Sequence, residues 1–237
     1  MKKLTFRILA AIFMLGTWSN ASAQKTFSGT ISYDMQMSGN EEIEQAMSMF
    51  QITMDLSFLG EKSATKMNMA GMMDMNSVFD TKKQEGVILM SMMGKNIAVE
   101  MDEDDMKKYQ DQQRKNQAPP KIKYMKKKTK KIAGYKCYRA EAEMEGADAP
   151  VVMYIAEDIQ PKGTSQWQMQ YPDLVGFPLM IELQKEGMTV TFSAQDVDKS
   201  KPDASVFDMT IPDGYQKMTM EELEQMQGAG SGGLFGM

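Results

Sequence analysis

From Phe27 onward the chain alternates. Phe27, Gly29, Ile31, Tyr33, Met35 and Met37 share one parity, and Ser28, Thr30, Ser32, Asp34 and Gln36 share the other. That is the period-two signature of a half-buried strand. The pattern returns with Phe50, Ile52, Met54, Leu56 and Phe58 against Gln51, Thr53, Asp55 and Ser57, and Gly60 ends it. In "MNMAGMMDMN" Met67 pairs in parity with Met69, and Met73 with Met75, on either side of Ala70–Gly71; the spacing predicts strand, turn or bulge, and strand. Hairpins are expected around Gly94–Lys95, between "YKCYRAEAEM" and "VVMYIA", and between "LMIELQ" and "MTVTFSA" with a turn at Lys185–Gly187. In the last pair Leu179, Ile181 and Leu183 share a face with Met188, Val190, Phe192 and Ala194.

Helical signal is sparse. Residues 38–49 read as a short helix or an acidic loop. Asp102–Gln117 is polar on every side and runs into Pro119–Pro120, a weak helix or a partly ordered insertion. Thr219 followed by Glu222 makes a capping box, with Leu223 and Met226 behind it, and Gly228–Gly233 reads as flexible tail. The fold class expected is mainly β (α+β): a curved antiparallel sheet or incomplete barrel with a few short helices, one dry face and one wetter face.

The first residues add a compartment. Lys2, Lys3 and Arg7 precede the apolar run Ile8–Trp18, and Ala21 and Ala23 stand at the −3 and −1 positions of a cleavage site before Gln24. Residues 1–23 are therefore expected to be a signal peptide, and the mature chain to be periplasmic or secreted and not membrane-spanning. The organisation expected is a single β-rich domain over 24–218, with a polar insertion at about 102–131, and a short helix and tail over 219–237.

Charge narrows the partners. The 237-residue chain has a net charge of −5, and loss of the leader's three basic residues takes it to −8, so nucleic acid is not an expected partner. "KIKYMKKKTKK" (Lys121–Lys131) disagrees locally, with seven lysines in eleven positions, and "EMDEDD" (Glu100–Asp105) opposes it. Such runs are expected to form a solvated, mutually attracting insertion, with a patch for an envelope protein partner as the alternative.

Methionine is the strongest compositional signal: 28 residues in a chain with no histidine and one cysteine. Met-x-Met pairs recur, and soft thioethers suit Cu(I) or Ag(I); Met67, Met69, Met73 and Met75 are the metal-ligand candidates. The same spacing puts two apolar side chains on one face of a strand, and methionine fills irregular apolar space well. Within the strands the methionines obey the parity of Ile31, Tyr33, Ile52, Leu56, Ile97 and Val99, which core or cavity lining requires and a ligand set does not. The lining candidates are Tyr33, Met35, Ile52, Met54, Met67, Met69, Ile97 and Val99.

Without histidine, Ser-His-Asp and Cys-His arrangements are excluded, and no glycine-rich phosphate loop occurs. No catalytic residue, enzyme activity or cofactor is expected. Glu157–Asp158 and Asp196 with Asp198 read as solvated acids, and Trp167 with Tyr171 as aromatic anchors or the rim of a binding mouth. Cys137 forms no disulfide within the chain. It is expected to be a small buried hydrophobe or else an exposed thiol.

"KKIAGYKCYRAEAEM" (Lys130–Met144), "VVMYIAEDI" (Val151–Ile159), "YPDLVGFPLMIEL" (Tyr171–Leu183) and "DASVFDMTIPDGYQKM" (Asp203–Met218) resemble, in that order, an exported bacterial domain-of-unknown-function family similar to the GLPGLI-type secreted proteins. Gly176–Leu179 stands where the motif of that name falls. The resemblance implies a LolA/LolB-like lipoprotein-carrier architecture: an incomplete barrel around an apolar cavity, holding a lipid or acyl-chain ligand. It carries no catalytic residue.

Overall fold

The computed structural model describes residues 26–39, 41, 44–45, 52–69, 71–92, 94–108, 120–143, 149–185 and 187–223. The expected leader, Phe50, and the tail beyond 223 lie outside these residues.

Two meanders make the sheet. In the first, β1 (Gly29–Ser38), β2 (Ile52–Leu59), β3 (Lys62–Met69), β4 (Met73–Asp80), β5 (Glu85–Met92) and β6 (Lys95–Met101) each pair antiparallel with the next. In the second, β7 (Lys121–Ile132), β8 (Tyr135–Glu143), β9 (Val151–Ala156), β10 (Phe177–Lys185) and β11 (Met188–Asp198) do the same. Pairing of β1 with β11 joins them, and the three-residue β12 (Gln216–Met218) adds a parallel strand to β6. The result is one 12-stranded sheet in the order β12-β6-β5-β4-β3-β2-β1-β11-β10-β9-β8-β7. The expected mainly β class and its hairpins are present.

The sheet curls. Phe58 of β2 and Phe177 of β10 stand three places apart, about 14 Å on a flat sheet, yet their rings meet edge to face at 5.4 Å. At the other end β7 approaches β11, four places away, without pairing with it. Register shifts supply bends. One lies between Ser32 and Tyr33 against β11 and another between Pro178 and Met180 against β9. A bulge increases local twist, and proline, which has no N–H for a ladder, is tolerated there.

Buried side chains from both meanders form one apolar cluster inside the curl, running from Ile31, Tyr33 and Met54 to Met153, Ile155 and Ile181. A smaller one, Ala64, Val78, Val87 and Phe207, lies on the reverse parity of β3–β5 and is covered by the 3-10 turn Ala204–Phe207 on the way to β12.

The connection 157–176 crosses from β9 to β10 by way of β3. Phe27 bridges to Pro161, the Ser63 hydroxyl donates to the Thr164 carbonyl at 2.7 Å, and a Cβ on Gly163 would stand 2.6 Å from the Lys62 carbonyl oxygen. Helix α1 (Gln166–Gln170) follows, opened by a capping box between Ser165 and Gln168. Its Trp167 sits edge to face with Phe192 at 5.5 Å, inside the curl. Trp167 and Tyr171 are buried anchors.

Two expectations need correcting. Lys121–Lys131 is not part of a polar insertion: it is in β7, which among the described residues is an edge strand paired with β8 alone, and its lysines are solvent-exposed. Among the described residues, no ion pair joins it to Glu100–Asp105; Lys126 pairs with Glu157 instead, and Glu100 with Lys217. Residues 103–108 are helical, and Met106 buries into the main cluster. The Thr219 capping box is present: the Glu222 N–H donates to Thr219 Oγ1 at 3.2 Å, and the Thr219 N–H to Glu222 Oε2 at 2.8 Å. Leu223 behind it is buried. No helix among the described residues is long and apolar enough to cross a membrane.

Candidate functional site

Directly opposed residues of antiparallel strands point to the same face, so the register draws the site. One row runs Tyr33–Met54–Met67–Met75–Met90–Ile97 across β1 to β6. Beside it runs Phe192–Met35–Ile52–Met69–Met73–Met92 across β11 to β5. The flanking row, Ile31–Leu56–Thr65–Ser77–Ile88–Val99, is less sulfur-rich.

All eight lining candidates fall in these three adjacent rows. Tyr33, Ile52, Met54, Met67, Met69, Ile97 and Val99 are buried in the main cluster, and Met35 packs against it half-buried. The four metal-ligand candidates fall on the same face as two directly opposed pairs, Met67 with Met75 and Met69 with Met73. Parity missed Met90 as a lining residue, because it needs to be known which strand pairs with β4. The patch grades outward: Met69 and Met73 are 8% and 6% exposed, whereas Met92 is 38% exposed.

The surroundings are strongly apolar. Tyr33 sends its hydroxyl inward to donate to the Pro178 carbonyl at 2.6 Å. Burial first, and the neighbouring Cys137 second, raise the Tyr33 hydroxyl well above its ordinary pKa. Cys137 is fully buried, and burial pushes its thiol up to about 11; it is a protonated, inert thiol at neutral pH. Burial likewise pushes Tyr171 up to about 12. Its hydroxyl has no hydrogen-bond partner among the described residues.

Separately, a pocket of about 280 Å³ is lined by Gln160, Pro161, Gln168, Leu174, Val175 and Gly176. One wall is held by two tyrosines: Tyr138 donates to the Val175 carbonyl at 2.6 Å, and Tyr124 accepts from the Val175 N–H and donates to the Asp173 carbonyl. None of the eight lining candidates borders it. The acids singled out by sequence are exposed: Glu157 is ion-paired, and Asp196 and Asp198 lie at the solvent end of β11. No group of three or more His, Cys, Asp or Glu side chains could hold a metal among the described residues.

No family model and no curated protein matches the chain. Among solved structures, the chain is similar to MucB in complex with the periplasmic part of MucA, with a TM-score of 0.41 at 11% identity over 80% of this chain. It is also similar to the Pseudomonas aeruginosa MucA/MucB complex, with a TM-score of 0.44 at 10% identity over 80% of this chain. The chain spans 57% and 58% of those two chains. The Mycobacterium tuberculosis lipoprotein LppX gives a TM-score of 0.35 at 6% identity, covering 74% of this chain and 89% of LppX. With every one of these scores below 0.5, the architecture described here stands on its own strand pairing, and the family suggested by the sequence motifs stays a resemblance.

Proposed function

We propose that the protein is an exported, non-enzymatic binder of a lipid-like or lipoprotein-derived apolar group, held against the methionine-rich inner face of the curled sheet. The single observation behind this reading is the register: four methionines, Met54, Met67, Met75 and Met90, stand side by side on four successive strands. Unbranched thioethers have three rotatable bonds and repack around apolar guests of differing shape, which Leu, Ile and Val do less readily. Burial raises both the Tyr33 hydroxyl and the Cys137 thiol of the main cluster, a sign of an interior that disfavours charge, which suits an uncharged chain and not an anion. The test is purification without detergent, organic extraction and mass spectrometry, alongside titration with a fluorescent acyl-chain probe. Stoichiometric probe binding that unlabelled acyl amphiphiles displace is expected. An absence of both probe binding and co-purifying amphiphile refutes the reading.

A second reading has its own observation. Met67–Met75 and Met69–Met73 are adjacent opposed pairs on one face, the arrangement from which three thioethers could reach one Cu(I) or Ag(I) ion. Silver titration followed by calorimetry tests it, and Met→Leu changes separate the two readings: leucine keeps the face apolar and removes the sulfur.

A further inference from the structure

Strand β7 is the most unusual surface of the molecule. Its seven lysines, Lys121, Lys123, Lys126, Lys127, Lys128, Lys130 and Lys131, are all exposed. The β7–β8 hairpin, Lys121 to Glu143, carries nine basic and two acidic side chains, a net +7. The mature chain is −8, so everything in it outside the hairpin is −15. The charge is thus segregated and not merely present.

The backbone makes the segregation sharper. The register with β8 breaks between Met125 and Thr129, so Lys126, Lys127 and Lys128 have no ladder partner and are pushed out of the sheet edge. Lys126 is drawn back to Glu157 at 2.7 Å, and Lys130 lies over the Tyr154 ring and against Met180. Lys121, Lys123, Lys127, Lys128 and Lys131 make no ion pair among the described residues. A lysine or a bulge is the ordinary means of blunting a sheet edge against aggregation. One or two suffice for that purpose, and this edge has seven lysines together with a three-residue bulge.

We propose that the β7 edge is the surface by which this protein docks on an anionic lipid bilayer. A polybasic run reads a negatively charged membrane surface by long-range attraction without needing a shaped pocket. It is a suitable recognition element for a strand that exposes charge along its length and offers no apolar groove. The −15 elsewhere repels the other faces from the same surface and so orients the molecule, β7 edge down. The choice of a bilayer over another polyanion rests on the apolar-ligand reading, since acyl chains are collected from and delivered to membranes; the existence of a basic docking edge does not.

The experiment is flotation of the full mature chain with vesicles. Phosphatidylcholine alone is compared with phosphatidylcholine containing about 30 mol% phosphatidylglycerol, at about 0.05 M and about 0.5 M salt. The protein is expected to float only with the anionic vesicles, and only at low salt. The quadruple change Lys121→Gln, Lys127→Gln, Lys128→Gln, Lys131→Gln avoids every lysine with a contact to Glu157, Tyr154 or Met180. Each lysine near an anionic surface multiplies partitioning about fivefold, so the variant should lose at least about 100-fold. Lys82→Gln with Lys201→Gln, outside the hairpin, serves as the control and should retain most of the binding. Far-ultraviolet circular dichroism of the variant checks that it folds. No flotation of the wild-type chain, equal flotation with neutral vesicles, or unchanged flotation of the quadruple variant each overturns the proposal. Probe binding without flotation removes the docking edge and leaves the apolar site. Flotation without probe binding removes the apolar site and leaves the basic edge as a docking surface.

Discussion

Tyr33 and Pro178 are 145 residues apart in sequence, and a 2.6 Å hydrogen bond from the tyrosine hydroxyl to the proline carbonyl joins them inside the curl. Tyr33 belongs to β1 and Pro178 to the bulged start of β10, two strands away. The bond ties the two meanders together across β11 and so bears on how tightly the sheet bends there.

Removing that hydroxyl should therefore be felt. Tyr33→Phe removes this buried hydrogen bond and is expected to cost about 0.5–1.5 kcal/mol in urea unfolding. Tyr171→Phe deletes a hydroxyl that has no partner among the described residues and should change stability by less than about 0.5 kcal/mol or raise it. Equal losses from the two substitutions would contradict this account of the bend.

The sulfur rows are tested by exchange with leucine. Met67→Leu with Met75→Leu conserves volume and apolarity, so each change should cost below about 1.5 kcal/mol. Acyl-probe affinity should shift by only a few-fold. A silver site in the same patch would lose its ligands and its calorimetric signal. Silver binding that the variant loses, with no acyl-probe binding by the wild-type chain, would reverse the order of the two readings.

Cys137 sets an alkaline limit. The folded state holds its proton up to about pH 11, whereas the unfolded thiol gives it up near its ordinary value of 9.0. Between these values the native state binds more protons than the unfolded one, so stability is fully present below pH 9 and falls as pH rises toward 11. The steepest possible slope is about 1.4 kcal/mol per pH unit. Cys137→Ala should flatten the fall most visibly near pH 9, where unfolded tyrosines, with an ordinary value of 10.0, are only about one-tenth ionised. At pH 8 a thiol reagent should label the native chain far more slowly than the denatured chain.

Gly176 is the residue at which the α1 connection enters β10. Its φ is +95°, and a Cβ there would lie 2.7 Å from the Ala156 carbonyl oxygen. Gly176→Ala should destabilise by more than about 1 kcal/mol. Gly187, also at positive φ but with open space around the Cβ position, should suffer less from the same change. A melting-temperature comparison decides it.

The strands whose one face is dry could be read directly from the chain: β1, β2 and the β5–β6 and β10–β11 hairpins all follow parity, and a turn at Gly71–Met72 does separate β3 from β4. The eight lining candidates share a face for the same reason. Strand β7 escaped because its lysines occupy both parities, with only Ile122 and Tyr124 alternating at its start. An edge strand with wet faces has no hydrophobic period to detect. Strand β12 is three residues long and pairs parallel to β6 after a long connection, so no local pattern announces it. The contact of Trp167 with Phe192 and the adjacency of Met75 and Met90 depend on which strands become neighbours, and residue periodicity does not carry that information.

The pairing of the first strand with the eleventh has a kinetic consequence. Every other antiparallel pair among the described residues links strands consecutive in sequence, the longest connection being 157–176, but Thr30 meets Asp198 across 168 residues. Loop-closure entropy makes that pairing slow relative to the others. Two separate half-sheets should therefore accumulate in refolding before a late zipping step unites them. Until that step each half-sheet bares the apolar face that the closed curl hides, so the intermediate should be prone to aggregate.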